Sequence, residues 1–113
     1  MNPILSEKII QQLYDRILER KNSSTKYSYV SSLINQGTNS ILKKIGEEST
    51  EVIIASKNEN IEEQIHEIAD LWFHLLVLMV NQGIPLEKIL QELKNRFGKS
   101  GLKEKAQRQE LNN

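Results

Sequence analysis

A chain of 113 residues is sized for one domain with a modest core. Its 15 Lys and Arg are matched by 15 Asp and Glu, which argues against a nucleic-acid binder working through net positive charge. It has no cysteine, so disulfides, thiolate zinc sites and cysteine nucleophiles are excluded, and a cytoplasmic setting is the simplest expectation. The longest apolar run, Leu75 to Val80, falls far short of the ~20 residues that span a bilayer, and the first residues lack a signal-peptide pattern. No membrane association is expected.

Taken in order, the chain reads as five helices, with no segment alternating like a strand. Ser6 is the expected N-cap of a first helix reaching about Arg20, with Leu5 and Ile10 as a hydrophobic staple. Its apolar stripe is Ile9, Ile10, Leu13, Ile17 and Leu18. A polar loop, Lys21 to Lys26, leads to a short second helix from Ser28 that buries Val30, Leu33 and Ile34 and stops at Gly37. Thr38 or Asn39 is expected to cap a third helix reaching Lys57. Gly46, inside it, costs about 1 kcal/mol relative to Ala and reads as room for a close neighbour. After the turn Asn58-Glu59-Asn60, Asn60 and Glu63 form a capping box for a fourth helix from Ile61 to Gly83. Pro85 opens the fifth, with Leu86, Ile89, Leu90, Leu93 and Phe97 as its buried side and Gly98 as its stop. The expectation is a single all-α domain over 1–113, with an N-terminal helix region (1–25) and a polar tail (99–113).

The third and fourth helices hold the unusual residues. Glu48 and Glu51 are three apart, as are Glu67 and Asp70, which sets each pair about 60° apart on its helix. Glu48 falls within the stripe Ile41, Ile45, Val52 and Ala55, where an apolar residue is expected. A buried carboxylate needs a partner, and Lys43 and Lys44 look too few and too mobile to supply it. Antiparallel helices at about 8–10 Å bring four such carboxylates within reach of one hard divalent cation, the chemistry of a magnesium site. The fourth helix is apolar on two faces: Ile61, Ile65, Ile68, Trp72, Leu75 and Met79 on one, and Leu71, His74, Val77 and Leu78 on the other. So small a chain cannot cover both, so the spare face is expected to pack on a second copy, giving a homodimer. Trp72 is expected in the core, and His74 as a hydrogen-bonded core or interface residue.

Glu47-Glu48-x-x-Glu51, fifteen residues, then Glu67-x-x-Asp70 resembles the signature of the all-α nucleoside triphosphate pyrophosphohydrolases, the MazG-like superfamily. Within it the chain is similar to the phosphoribosyl-ATP pyrophosphohydrolase family. The resemblance covers about residues 27 to 108 and includes Ser28-Tyr29, Lys43-Lys44-x-Gly46, Asp70-Leu71-x-x-His74 and Ser100-Gly101-x-x-Glu104-Lys105-Ala106-x-Arg108. It departs at Trp72-Phe73, where Leu or Tyr is expected.

That resemblance implies Mg²⁺-dependent hydrolysis of phosphoribosyl-ATP to phosphoribosyl-AMP and pyrophosphate, the second step of histidine biosynthesis. It casts Glu47, Glu48, Glu51, Glu67 and Asp70 as catalytic, the last four as metal ligands. Glu47 then orients or deprotonates the attacking water, or has only an outer role. Lys43 and Lys44 are candidates for phosphate contact, and Arg96, Lys105 and Arg108 for the ribose phosphate. Two alternatives stand beside this: a house-cleaning dNTP pyrophosphohydrolase with the same site, and a non-catalytic helical interaction module. A di-iron bundle is disfavoured, because Glu63-x-x-His66 has no second copy.

Overall fold

The computed structural model describes residues 8–22, 28–97, 105–106 and 108–110. Five helices follow in order: α1 (Ile9–Lys21), α2 (Tyr29–Gln36), α3 (Thr38–Lys57), α4 (Ile61–Gln82) and α5 (Leu86–Lys94). The architecture is all-α, as expected, and no strand occurs among the described residues.

Local chemistry sets most helix ends. The Ser28 hydroxyl accepts from the Ser31 amide at the start of α2, and the Asn60 side chain accepts from the Glu63 amide at the start of α4. The expected capping box is one-sided, because the Asn60 amide donates to Ala55 O instead. Gly83 closes α4 in the left-handed conformation (φ 72°), where a side chain is disfavoured. Three expectations change. Gly37, not Thr38 or Asn39, is the N-cap of α3, and the Thr38 hydroxyl bonds Asn81 Oδ1. Lys8 occupies the N-cap position of α1, while Leu5 and Ser6 lie outside the described residues. Gly46 accommodates no neighbour: a Cβ built there would meet nothing within 4 Å.

The three-residue turn folds α4 back along α3, the most extensive helix pairing in the molecule. The core sits at one end of this hairpin, where Tyr14 and Ile17 of α1, Val30 and Leu33 of α2 and Ile41 of α3 close on Leu76, Val77 and Val80 of α4, with Leu86 beside them. Polar side chains join the helix ends there. Ser31 Oγ donates to Arg20 O at 2.6 Å, Tyr14 Oη to Ile84 O at 2.7 Å, and Lys21 Nζ to Val80 O at 3.3 Å. Since α4 has no basic residue in its own last turn, Lys21 brings the cation that its dipole favours.

The other end of the hairpin is bare. Ile61, Ile65 and Ile68 of α4 and Ile53 and Ile54 of α3 are exposed. Trp72, expected in the core, is 55% exposed. On α5 only Leu86 is buried, whereas Ile89, Leu90 and Leu93, and Phe97 just beyond the helix, are exposed. The reason is directional. The chain turns through 116° between α4 and α5, so α5 cannot lie along the Ile61–Leu75 stripe, and α1, α2 and α3 cover the opposite face. Among the described residues, no single helix is long and apolar enough to cross a membrane.

Candidate metal and phosphate site

The carboxylates stand where the packed end of the hairpin meets the bare one. Glu48 projects from α3 into the helix pair and is only 7% exposed, while Glu67 and Asp70 approach from α4 and are half-buried. One oxygen from each of the three lies within 4.8 Å of the others. Three all-oxygen donors of this charge fit a hard divalent cation that keeps water on its remaining positions. Desolvation raises Glu67 above its ordinary value, and the hydrogen bond and charge of Glu48 add to this, with Glu51 contributing and His66 opposing. Burial and like charge both favour the neutral form of Glu67 over the charged one.

Four metal ligands were expected, and three come together. Glu51 is exposed and outside the triad, although its charge reaches Glu67. Glu47 is half-exposed and pairs with Lys44 at 3.7 Å. The sequence reading of Lys44 is corrected here: its ammonium reaches Glu48 Oε1 at 3.5 Å and so answers the buried charge. Desolvation alone would lower the Lys44 pKa, but Tyr29, Glu48 and Glu47 outweigh it and hold it above the usual lysine value. Lys43 is exposed on the same helix. Arg96, a candidate for ribose phosphate, pairs with Glu92 at 3.2 Å. Lys105 and Arg108 are exposed helical residues, and the remainder of the Ser100–Arg108 motif lies largely outside the described residues.

Tyr29 is the neighbour that sequence reasoning passed over. His74 is buried, as expected, and its Nδ1 lies 2.8 Å from Asp70 O. A carbonyl only accepts, so Nδ1 carries the proton, and in the neutral ring Nε2 accepts from Tyr29 Oη at 2.8 Å. Phe73 stacks on Tyr29 with ring centroids 6.4 Å apart and meets His74 edge-on at 5.3 Å. The phenol is thereby fixed beside the carboxylates. Burial raises its pKa, and the charges of Glu48, Asp70 and Glu47 add to that, with Lys44 opposing. The signal available in the sequence was the Ser28-Tyr29 pair, which marked a helix start and a segment of the family resemblance but gave Tyr29 no role.

A sequence profile of the phosphoribosyl-ATP pyrophosphohydrolase family matches residues 10–97, from α1 through α5 but short of the 100–108 motif. Curated relatives named phosphoribosyl-ATP pyrophosphatase align over most of the chain. The protein of Vesicomyosocius okutanii is 53% identical over 102 residues, covering 90% of this chain and 97% of its own. That of Geobacter metallireducens is 51% identical over 100 residues, covering 88% and 92%, and that of Pelobacter propionicus is 48% identical over 100 residues, covering 88% and 93%.

Proposed function

Because the chain belongs to the phosphoribosyl-ATP pyrophosphohydrolase family, a family of hydrolases, we propose that it hydrolyses phosphoribosyl-ATP to phosphoribosyl-AMP and pyrophosphate in the cytoplasm, with Mg²⁺ as cofactor. The observation that supports this most directly is the convergence of Glu48, Glu67 and Asp70 within 4.8 Å. Carboxylates alone repel a polyphosphate, so a cation must reverse the local field before the substrate can bind. When bound, Mg²⁺ supplies that charge and polarises the phosphoanhydride oxygens.

The chain's own groups then divide the remaining work. Glu48, Glu67 and Asp70 would hold the ion, and Glu51, one turn beyond Glu48 on α3, would add a further carboxylate beside them. Glu47, half-exposed and paired with Lys44, would orient the attacking water and accept its proton. Lys44, on the same helix as Glu48 and within 3.5 Å of it, would meet phosphate oxygens once a cation neutralises that carboxylate. The test is to offer phosphoribosyl-ATP and a panel of dNTPs with Mg²⁺ or with chelator, and to identify the products by ³¹P NMR. Pyrophosphate release from phosphoribosyl-ATP alone, and only with Mg²⁺, is expected. Orthophosphate release, equal turnover of dNTPs or indifference to chelator would overturn the reading.

The functional unit in this reading is a homodimer. Trp72, Leu75, Met79, Leu86, Ile89, Leu90 and Leu93 line a nearly wholly apolar groove of about 410 Å³, continuous along α4 with exposed Ile65 and Ile61. A stripe of that length on a small protein favours an interface with another chain. A second copy supplies a matching helix face. A monomeric mass at micromolar concentration would remove this part of the proposal.

A further inference from the structure

A cavity of about 380 Å³ opens between α1, α2 and α4, with Tyr29 and Phe73 in its wall. Buried Ile17 and Val30 form its floor, and Arg16 and Arg20 stand at its side. The two arginines are four residues apart on one face of α1. Like charges at that spacing repel, yet neither guanidinium has an ion pair or a hydrogen bond among the described residues. The dipole at the C-terminal end of α1 accounts for Arg20 and Lys21, and Lys21 is already occupied with Val80 O. Arg16 lies a turn too early for that explanation. Two unneutralised planar forks beside an aromatic wall and an apolar floor make a receptor for an anion attached to a ring system.

We infer that this cavity holds the ribose-phosphate end of the substrate, with Arg16 and Arg20 gripping its phosphomonoester while Tyr29 and Phe73 separate that end from the metal-held triphosphate. The inference rests on the proposed reaction and adds a second point of attachment to it. Phosphoribosyl-ATP carries two anionic ends joined through a purine, and the structure has two charged sites joined through a tyrosine. The hydrogen bond from Tyr29 to His74 fixes the wall between them. A nucleoside triphosphate without the extra ribose phosphate reaches only one site, so the arginines discriminate between the two substrate classes.

The test is steady-state hydrolysis of phosphoribosyl-ATP by Arg16→Ala, Arg20→Ala and Arg16→Lys, with ATP added as an inhibitor. Each alanine variant is expected to raise KM by about tenfold or more, the usual effect of losing a charge-assisted hydrogen bond, with kcat within about threefold. Arg16→Lys recovers part of that loss, and ATP inhibits the variants as well as it inhibits the wild type. An unchanged KM, a loss confined to kcat, or ATP inhibition weakened in parallel with KM overturns the inference. Failure of the underlying reading looks different, because the wild type itself then releases no pyrophosphate. The exposed guanidinium groups carry no packing role, and unchanged melting of the variants confirms that folding is not what the assay reads.

Discussion

Replacing Glu48 by Gln separates the folding role of this residue from its binding role. Its carboxylate lies within 4.8 Å of oxygens of both Glu67 and Asp70. At an effective dielectric near 20, two like charges at that separation repel by about 3.5 kcal/mol before solvent screening. The attraction to Lys44 at 3.5 Å returns about 4.7 kcal/mol on the same scale. Two repulsions exceed one attraction, and solvent screening of the half-exposed partners reduces the difference to about 1 kcal/mol. The metal-free variant should therefore melt about 5 °C above wild type. Wild type, by contrast, gains about 2.7 kcal/mol from an ion present at 100 times its dissociation constant, and the variant loses most of that gain together with turnover. The assay is thermal unfolding followed by circular dichroism at one fixed protein concentration, with chelator and with Mg²⁺, beside pyrophosphate release. A metal-free variant less stable than wild type, or one that keeps the full Mg²⁺ shift, would refute the reasoning.

Three further outcomes are expected. Glu67 is raised above its ordinary value of 4.5, so between that value and the raised one the folded state binds more protons than the unfolded state. Its contribution therefore falls as pH rises through that window, and in chelator Glu67→Gln should remove this slope from the melting profile; an unaltered slope assigns it elsewhere. Trp72→Glu, which sets a charge in the exposed α4 stripe, should weaken self-association by at least about 100-fold in sedimentation equilibrium, and a variant that dimerises normally moves the interface away from α4. Gly46→Ala should stabilise by roughly 0.5–1 kcal/mol, since a methyl there enters open space; a lowered denaturation midpoint would reveal crowding at that position.

Features that depend on a few adjacent residues were legible from the sequence. Ser28, Asn60 and Gly83 act within three residues of themselves, and each terminates its helix as its chemistry requires. Glu48 was legible because a carboxylate in an apolar stripe breaks a periodic pattern, and it proves buried, as Ile41 and Ala55 of the same stripe are. The covered face of α4 was not legible. Both faces are apolar, and the choice depends on where α1 and α2 dock, which periodicity does not encode. Lys44 was misjudged because four methylenes let its ammonium reach either solvent or Glu48, and only the packed neighbourhood of Tyr29 decides between them. Arg16 and Arg20 meet Tyr29 and Phe73 across three separate helices, with no spacing in the chain to announce it. Gly46 suggested close approach and marks none.

The two links from α1 to the end of α4, Tyr14 to Ile84 and Lys21 to Val80, clasp the N-terminal helix to the chain some sixty to seventy positions later. These links tie α1, and with it the wall bearing Arg16 and Arg20, to the end of α4. Native-state hydrogen exchange should find amides of α1 and of the last turn of α4 opening together, and Tyr14→Phe should hasten both to the same degree. Were α1 to open alone, the clasp would be ornamental to folding.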